Sequence, residues 1–170
     1  MATASQVAGL MRQALQDTND WPGTAGDSPL KISTYRGAID DKKYLSIDAG
    51  HRRKLGGADY QVPIRVVGSP VTLAAKFNPL IDTAFTNLTT AFTAYSANKN
   101  SANLSALETA AEQSEYLVQI FGQFRTLANT KVVQVTTEDE EGISLVISGE
   151  MGEGTTTDPL VTIIASAFLI

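Results

Sequence analysis

The sequence predicts an α+β fold: a mostly antiparallel sheet with an N-terminal helix and a central antiparallel helix pair packed on it. Three observations carry this. Helical and strand patterns fall in blocks along the chain and do not alternate, which argues against a doubly wound parallel sheet. The middle of the chain holds apolar residues at three- and four-residue spacing through two long segments joined by a short polar link. The last third reads as short strands separated by glycine-containing turns. At 170 residues, with 43% hydrophobic and 18% charged residues, the chain is read as a single domain spanning 1–170. A chain of this length buries roughly 70% of its unfolded surface and holds a core without a metal or a disulfide.

The first element is a helix over 5–17, where Val7, Leu10, Met11, Ala14 and Leu15 make one apolar stripe. Asn19, Asp20, Pro22 and Gly23 end it and open a loop that runs to residue 29, with Trp21 capping the core at the helix end. Residues 30–36 place Leu30, Ile32 and Thr34 on one face of a strand, and 43–48 form a second short strand candidate. Residues 49–58 read as a polar, basic, glycine-rich loop. Tyr60, Val62, Ile64 and Val66 alternate along a further strand, and Pro63 confines that strand to an edge or a bulge because proline cannot donate to the ladder.

Phe77, Ile81, Phe85, Leu88, Phe92 and Tyr95 then mark a helix. Asn78 and Pro79 match an N-cap followed by proline at the first helical position. The alternative is a helix that begins near Pro70 and carries Pro79 inside it. Its many threonines lower intrinsic helix propensity, so packing must hold it. A second helix over 102–127 follows a short break, and the short link makes the two antiparallel neighbours. Residues 131–137 and 143–148 read as a hairpin, and 160–170 as a final strand with apolar residues on both faces. Bare on one side, such a strand would be an aggregation site, so burial on both sides is expected.

Composition removes several chemistries. With no cysteine there is no disulfide, thiolate metal site or Cys nucleophile, and a single histidine removes multi-His metal sites. The net charge is −5, which makes the chain a poor candidate for sequence-specific binding of nucleic acid. That charge is unevenly placed: residues 1–76 carry a net +3 and residues 77–170 a net −8. The N-terminus lacks the pattern of a secretory signal, and the apolar tail from residue 161 is too short for a bilayer span, which needs about 20 residues. No membrane partner is expected.

The strongest local feature is the basic run His51, Arg52, Arg53 and Lys54, read as exposed. His51 has no orienting carboxylate marked for it in sequence, which argues against a catalytic base. Glu138, Asp139, Glu140 and Glu141 are consecutive and lack a second ligand cluster, so they read as a charged hairpin tip and not as a cation site. Asp40, Asp41 and Asp48 have lysines and the basic run beside them, which would neutralise a metal site. Gly56, Gly57, Gly149, Gly152 and Gly154 do not form a phosphate-binding loop. No catalytic, metal-binding or cofactor-binding residues are assigned, and no cofactor is expected.

The layout resembles that of the tail-terminator and tail-completion (head–tail joining) proteins of long-tailed bacteriophages. It opens on an amphipathic helix over 5–17, followed by a β segment with a polar loop. A strand from Tyr60 to Val67, helices, and an apolar strand at the C-terminal end complete it. The middle departs from it: a helix pair stands where that layout carries a single helix. The resemblance implies a non-enzymatic virion subunit of the tail or neck, assembled in the host cytoplasm. Its partners would be copies of itself in a ring, commonly a hexamer, together with tail-tube and connector or neck proteins. A heterologous interface that closes makes such a ring. Arg52, Arg53 and Lys54 on one subunit and Glu138, Asp139, Glu140 and Glu141 on the next are the interface candidates, acting mainly by steering and registering the contact. Two other readings remain at this stage: a small ligand-binding or regulatory domain with a pocket between helices and sheet, and an enzyme built on paired carboxylates.

Overall fold

The computed structural model describes residues 3–14, 30–56, 65–137 and 142–169. The elements in chain order are α1 (Ala4–Ala14), β1 (Lys31–Arg36), α2 (Asp41–Gly56), β2 (Arg65–Val67), α3 (Leu73–Ala97), α4 (Ser101–Phe124), β3 (Ala128–Thr137), β4 (Ile143–Met151) and β5 (Val161–Leu169). The fold is α+β, with one five-stranded sheet in the order β1-β5-β4-β3-β2 and every neighbouring pair antiparallel. The loop expected at 18–29, Trp21, residues 60–64 of the strand expected at 60–67 and the acidic run at 138–141 lie outside the described residues.

Local chemistry starts each helix. Thr3 and Gln6 form a reciprocal cap on α1: the Thr3 N–H donates to Gln6 Oε1 at 2.8 Å, and the Gln6 N–H donates to Thr3 Oγ1 at 3.2 Å. Asp40 caps α2 by accepting the Lys43 N–H at 3.0 Å. Thr72 caps α3 through the Ala75 N–H, and Asn100 caps α4 through the Asn103 N–H. α3 therefore begins at Leu73, and Pro79 lies inside it and not at its start. The link from Asn98 to Asn100 is closed by the Asn103 amide, which donates to the carbonyls of Ala94 and Asn98. Thr86, Thr89 and Thr93 turn their hydroxyls back onto carbonyls four residues earlier, so these three are satisfied within the helix.

The sheet is covered on both faces. Val132, Leu145, Ile147, Ile163, Ala165 and Ala167 lie beneath α1, α3 and α4 with Met11, Phe77, Leu117, Ile120 and Phe124. The opposite face presents Val133, Val135, Val146 and Ile164 to α2, whose Tyr44 packs there beside Ile39. Ile163 and Ile164 are both buried, as the doubly apolar pattern of the last strand requires; β5 sits between β1 and β4 and not at an edge.

One expectation is corrected. Residues 43–48 are not a strand and 49–56 are not a loop: both belong to α2, a fourth helix on the face of the sheet opposite α1, α3 and α4. The cause is physical. The inward positions of α2 include Asp48 and Arg52, so burial follows a helical period while hydropathy does not.

Candidate functional site

The densest polar cluster among the described residues lies between α2 and the sheet. Tyr44, Asp48 and Arg52 stand one turn apart on the inward side of α2. The strands meet them with short side chains. On this face β4 places Ser144 and Ser148 on either side of Val146, and β5 places Thr162 and Ser166 on either side of Ile164. These residues leave room for a helix that carries charge inward.

Asp48 is fully buried and receives donors from three directions. Arg52 Nε lies 3.0 Å from both carboxylate oxygens, and the Ser144 hydroxyl donates to Oδ1 at 2.7 Å. Arg65 Nε on β2 lies 3.3 Å from Oδ2 as an ion pair without hydrogen-bond geometry. Arg52 is 2% exposed, donates through Nη2 to the Gly142 carbonyl at 3.1 Å, and holds its guanidinium 4.8 Å from the centre of the Phe168 ring. Gly142 has φ +86°, and a Cβ there would enter that ring, so only glycine fits.

His51 borders the cluster. Its Nε2 is 3.0 Å from Ser166 Oγ, and its ring stacks at 6.4 Å on Phe168. Burial lowers its pKa, Lys31 and Lys54 lower it further, and Asp48 opposes them. An imidazole bonded to a serine hydroxyl is the geometry of a general base and a nucleophile, but an oriented dyad needs a third group. Asp48 is the nearby carboxylate, and Arg52, Ser144 and Arg65 engage it. Ser166 itself is 3% exposed beneath α2. The arrangement pins α2 to the sheet. No cluster of three or more metal-ligating side chains occurs among the described residues.

The interface candidates separate accordingly. Arg52 faces inward and is not available to another subunit, which corrects its assignment: changing it to glutamate would disturb the core and not an interface. Arg53 and Lys54 are exposed in the last turn of α2. Glu138, Asp139, Glu140 and Glu141 lie outside the described residues, yet Gly142 directly follows them and is bonded to Arg52. The basic run is thus tied to the residue that follows the acidic run in sequence. Sequence reasoning missed Asp48 and Ser144 as partners; the available signal was the acid–base spacing of four residues from Asp48 to Arg52.

A surface cavity of about 440 Å³ opens at the start of α3, lined by Gly68, Ser69, Val71, Ala75, Lys76, Val132 and Gln134. Burial lowers the Lys76 pKa. Farther along, the outer side of α3 and α4 exposes Phe85, Phe92, Leu104 and Val118.

These features define a three-layer α+β protein, with an ionic lock on one face of its sheet and an exposed apolar helix pair on the other. Comparisons with protein-family models, curated proteins and solved structures gave no match.

Proposed function

We propose that the chain is a non-enzymatic assembly subunit of the tail-terminator or head–tail connector type, one that forms a ring, caps a tail tube and offers a docking surface to neck proteins. The observation that carries the assembly reading is the outward side of α3 and α4. It keeps two phenylalanines about half exposed or more, Phe85 at 48% and Phe92 at 60%, on a helix with no charge after Asp82. Large apolar side chains gathered on one exposed side of a helix pair mark association sites. The tail-end assignment itself rests on the sequence layout. Arg53 and Lys54 remain as cations that would steer a contact, and the polar groups beneath α2 are committed to holding that helix.

The test is solution mass by light scattering with the full chain, alone and with purified tail tubes. The expected result is a species near six times 18.1 kDa, or a tube whose open end no longer elongates. A chain that stays monomeric and leaves tube elongation unchanged rejects the reading. The cavity beside Lys76 favours a second reading, a small-ligand domain, because its volume lies in the ligand-pocket range of about 300–1,000 Å³. A small anionic ligand that binds wild type but not Lys76→Ala would support it.

A further inference from the structure

We infer that the exposed side of the α3–α4 hairpin is the contact surface for the same side of a second copy, and that the two hairpins form an antiparallel four-helix bundle. The inference takes from the assembly reading only the premise that copies meet, and does not depend on the ring or the tail tube.

The geometry begins with helix phase, about 100° per residue. In α3 the side turned to α4 is set by Ala84, Leu88 and Tyr95, which are buried or half-buried. In α4 the matching side is set by Ser114, whose hydroxyl reaches the Ala84 carbonyl, and by Asn103, which reaches that of Ala94. Phe85 and Phe92 stand roughly a quarter turn from the first contact line, and Leu104, Ala111 and Val118 a similar rotation from the second. Both offsets have the same rotational sense. Because the helices run antiparallel, they bring these residues to one side of the hairpin. The opposite flank carries Leu80, Tyr116, Ile120 and Phe124 into the main core, so the exposed side points away from the sheet.

That side has the spacing of a helical seam. Phe85 and Phe92 stand seven residues apart on α3, and Leu104, Ala111 and Val118 repeat every seven residues on α4. Such steps fit knobs from another helix pair. Four of the eight large hydrophobic side chains exposed among the described residues lie on it.

Three considerations select a second copy as the occupant. The inward faces of α1 and α2 are spent on the sheet, so the hairpin itself is the described element with a matching free seam. Crossing α3 over the other copy's α4 sets a helix side without charge beside the rim that carries Glu108 and Glu115, so like charges do not meet. The area suffices. The stretch from Asp82 to Ala97 is about 24 Å long at 1.5 Å per residue, and two helices side by side span about 20 Å. The footprint is roughly 500 Å² per copy, and about 1,000 Å² for two meets the minimum size of a biological interface.

The test compares the full-length chain with two variants by sedimentation velocity over micromolar to hundred-micromolar concentrations. Wild type is expected at twice 18.1 kDa or an even multiple of it, Phe92→Glu at half that mass, and Thr90→Glu on the far side of α3 at the wild-type mass. Circular dichroism checks that both variants keep wild-type helicity, and the milder Phe92→Ser replaces Phe92→Glu if helicity falls. A monomeric wild type, or a Phe92 variant that keeps the wild-type mass, overturns the inference. A ring that persists in the Phe92 variant overturns it while sparing the assembly reading. A wild-type dimer lost in the Phe92 variant, with no effect on tail tubes, upholds it while the tail reading fails.

Discussion

Changing Asp48 to asparagine removes one charge from the lock beneath α2 while keeping its shape. Arg52, 2% exposed, then stays in the interior without its carboxylate, and keeps the Gly142 carbonyl at 3.1 Å. Breaking a buried pair on one side costs about 3–5 kcal/mol. For a chain of this size each kcal/mol moves Tm by about 2–4 °C, so Asp48→Asn should lower Tm by about 6–20 °C. Arg52→Met should cost less. Asp48 keeps Arg65 at 3.3 Å and Ser144 at 2.7 Å, and the methionine fills the space against Phe168. The charged hydrogen bond to Gly142 is lost, giving about 2 kcal/mol. In the double variant neither charge is stranded, so its cost should fall below the sum of the singles by about 2 kcal/mol. Urea unfolding followed by circular dichroism at pH 7 measures all four corners of the cycle. A loss below about 1 kcal/mol for Asp48→Asn, or additive costs in the double variant, would refute the lock.

Two more predictions follow from the same cluster. Burial and the neighbouring lysines lower the His51 pKa below its ordinary value of 6.5, so the unfolded chain binds the extra proton first. His51 therefore contributes a loss of stability that begins as pH falls through about 6.5 and levels off below its folded pKa. The stability gap between wild type and His51→Gln, measured in urea at pH 8 and pH 5, should shift in favour of the variant at pH 5, and an unchanged gap contradicts the assignment. Gly142→Ala places a side chain at φ +86° against the Phe168 ring and should cost about 2–4 kcal/mol. Chemical denaturation measures it, and a neutral result would mean that the β3–β4 turn holds another conformation.

Legibility in the sequence followed hydropathy. α1, α3 and α4 carry apolar stripes, and their stripes bury Met11, Phe77 and Leu117. β5 was legible because Ile163 and Ile164 are adjacent and both apolar, which only a covered strand tolerates. α2 was not, for a physical reason. Its inward side is Tyr44, Asp48 and Arg52, and hydropathy assigns the last two to solvent although pairing keeps them inside. The serines on β4 and β5 form the floor of the same cluster, and their hydropathy carries no sign of it. The start of α3 was ambiguous because Asn78 and Pro79 imitate a helix start. What settles it lies outside the helix: Val71 bridges to Val132 on β3 and fixes the chain just before the Thr72 cap. Leu10 belongs to the α1 stripe by spacing yet is 51% exposed, because that stripe is wider than the surface it covers.

The lock also changes how association must work. A net +3 before residue 77 and a net −8 after it suggest subunits that meet head to tail by charge. Folding joins the two segments inside one chain: Arg52, paired with Asp48 of its own segment, reaches the carbonyl of Gly142, next to the acidic run in sequence. Of the basic run, Arg53 and Lys54 remain outside, exposed cations whose pairing in water contributes little and is screened by salt. The α3–α4 side has the opposite character, with no charge on α3 beyond Asp82 and with apolar side chains whose burial is insensitive to salt. Charge would then set how fast copies meet, and the helical seam how long they stay together. Raising salt should slow assembly and leave the dissociation rate nearly unchanged, whereas Phe92→Glu should act on dissociation; a dissociation rate that climbs steeply with salt would return the dominant role to the charges.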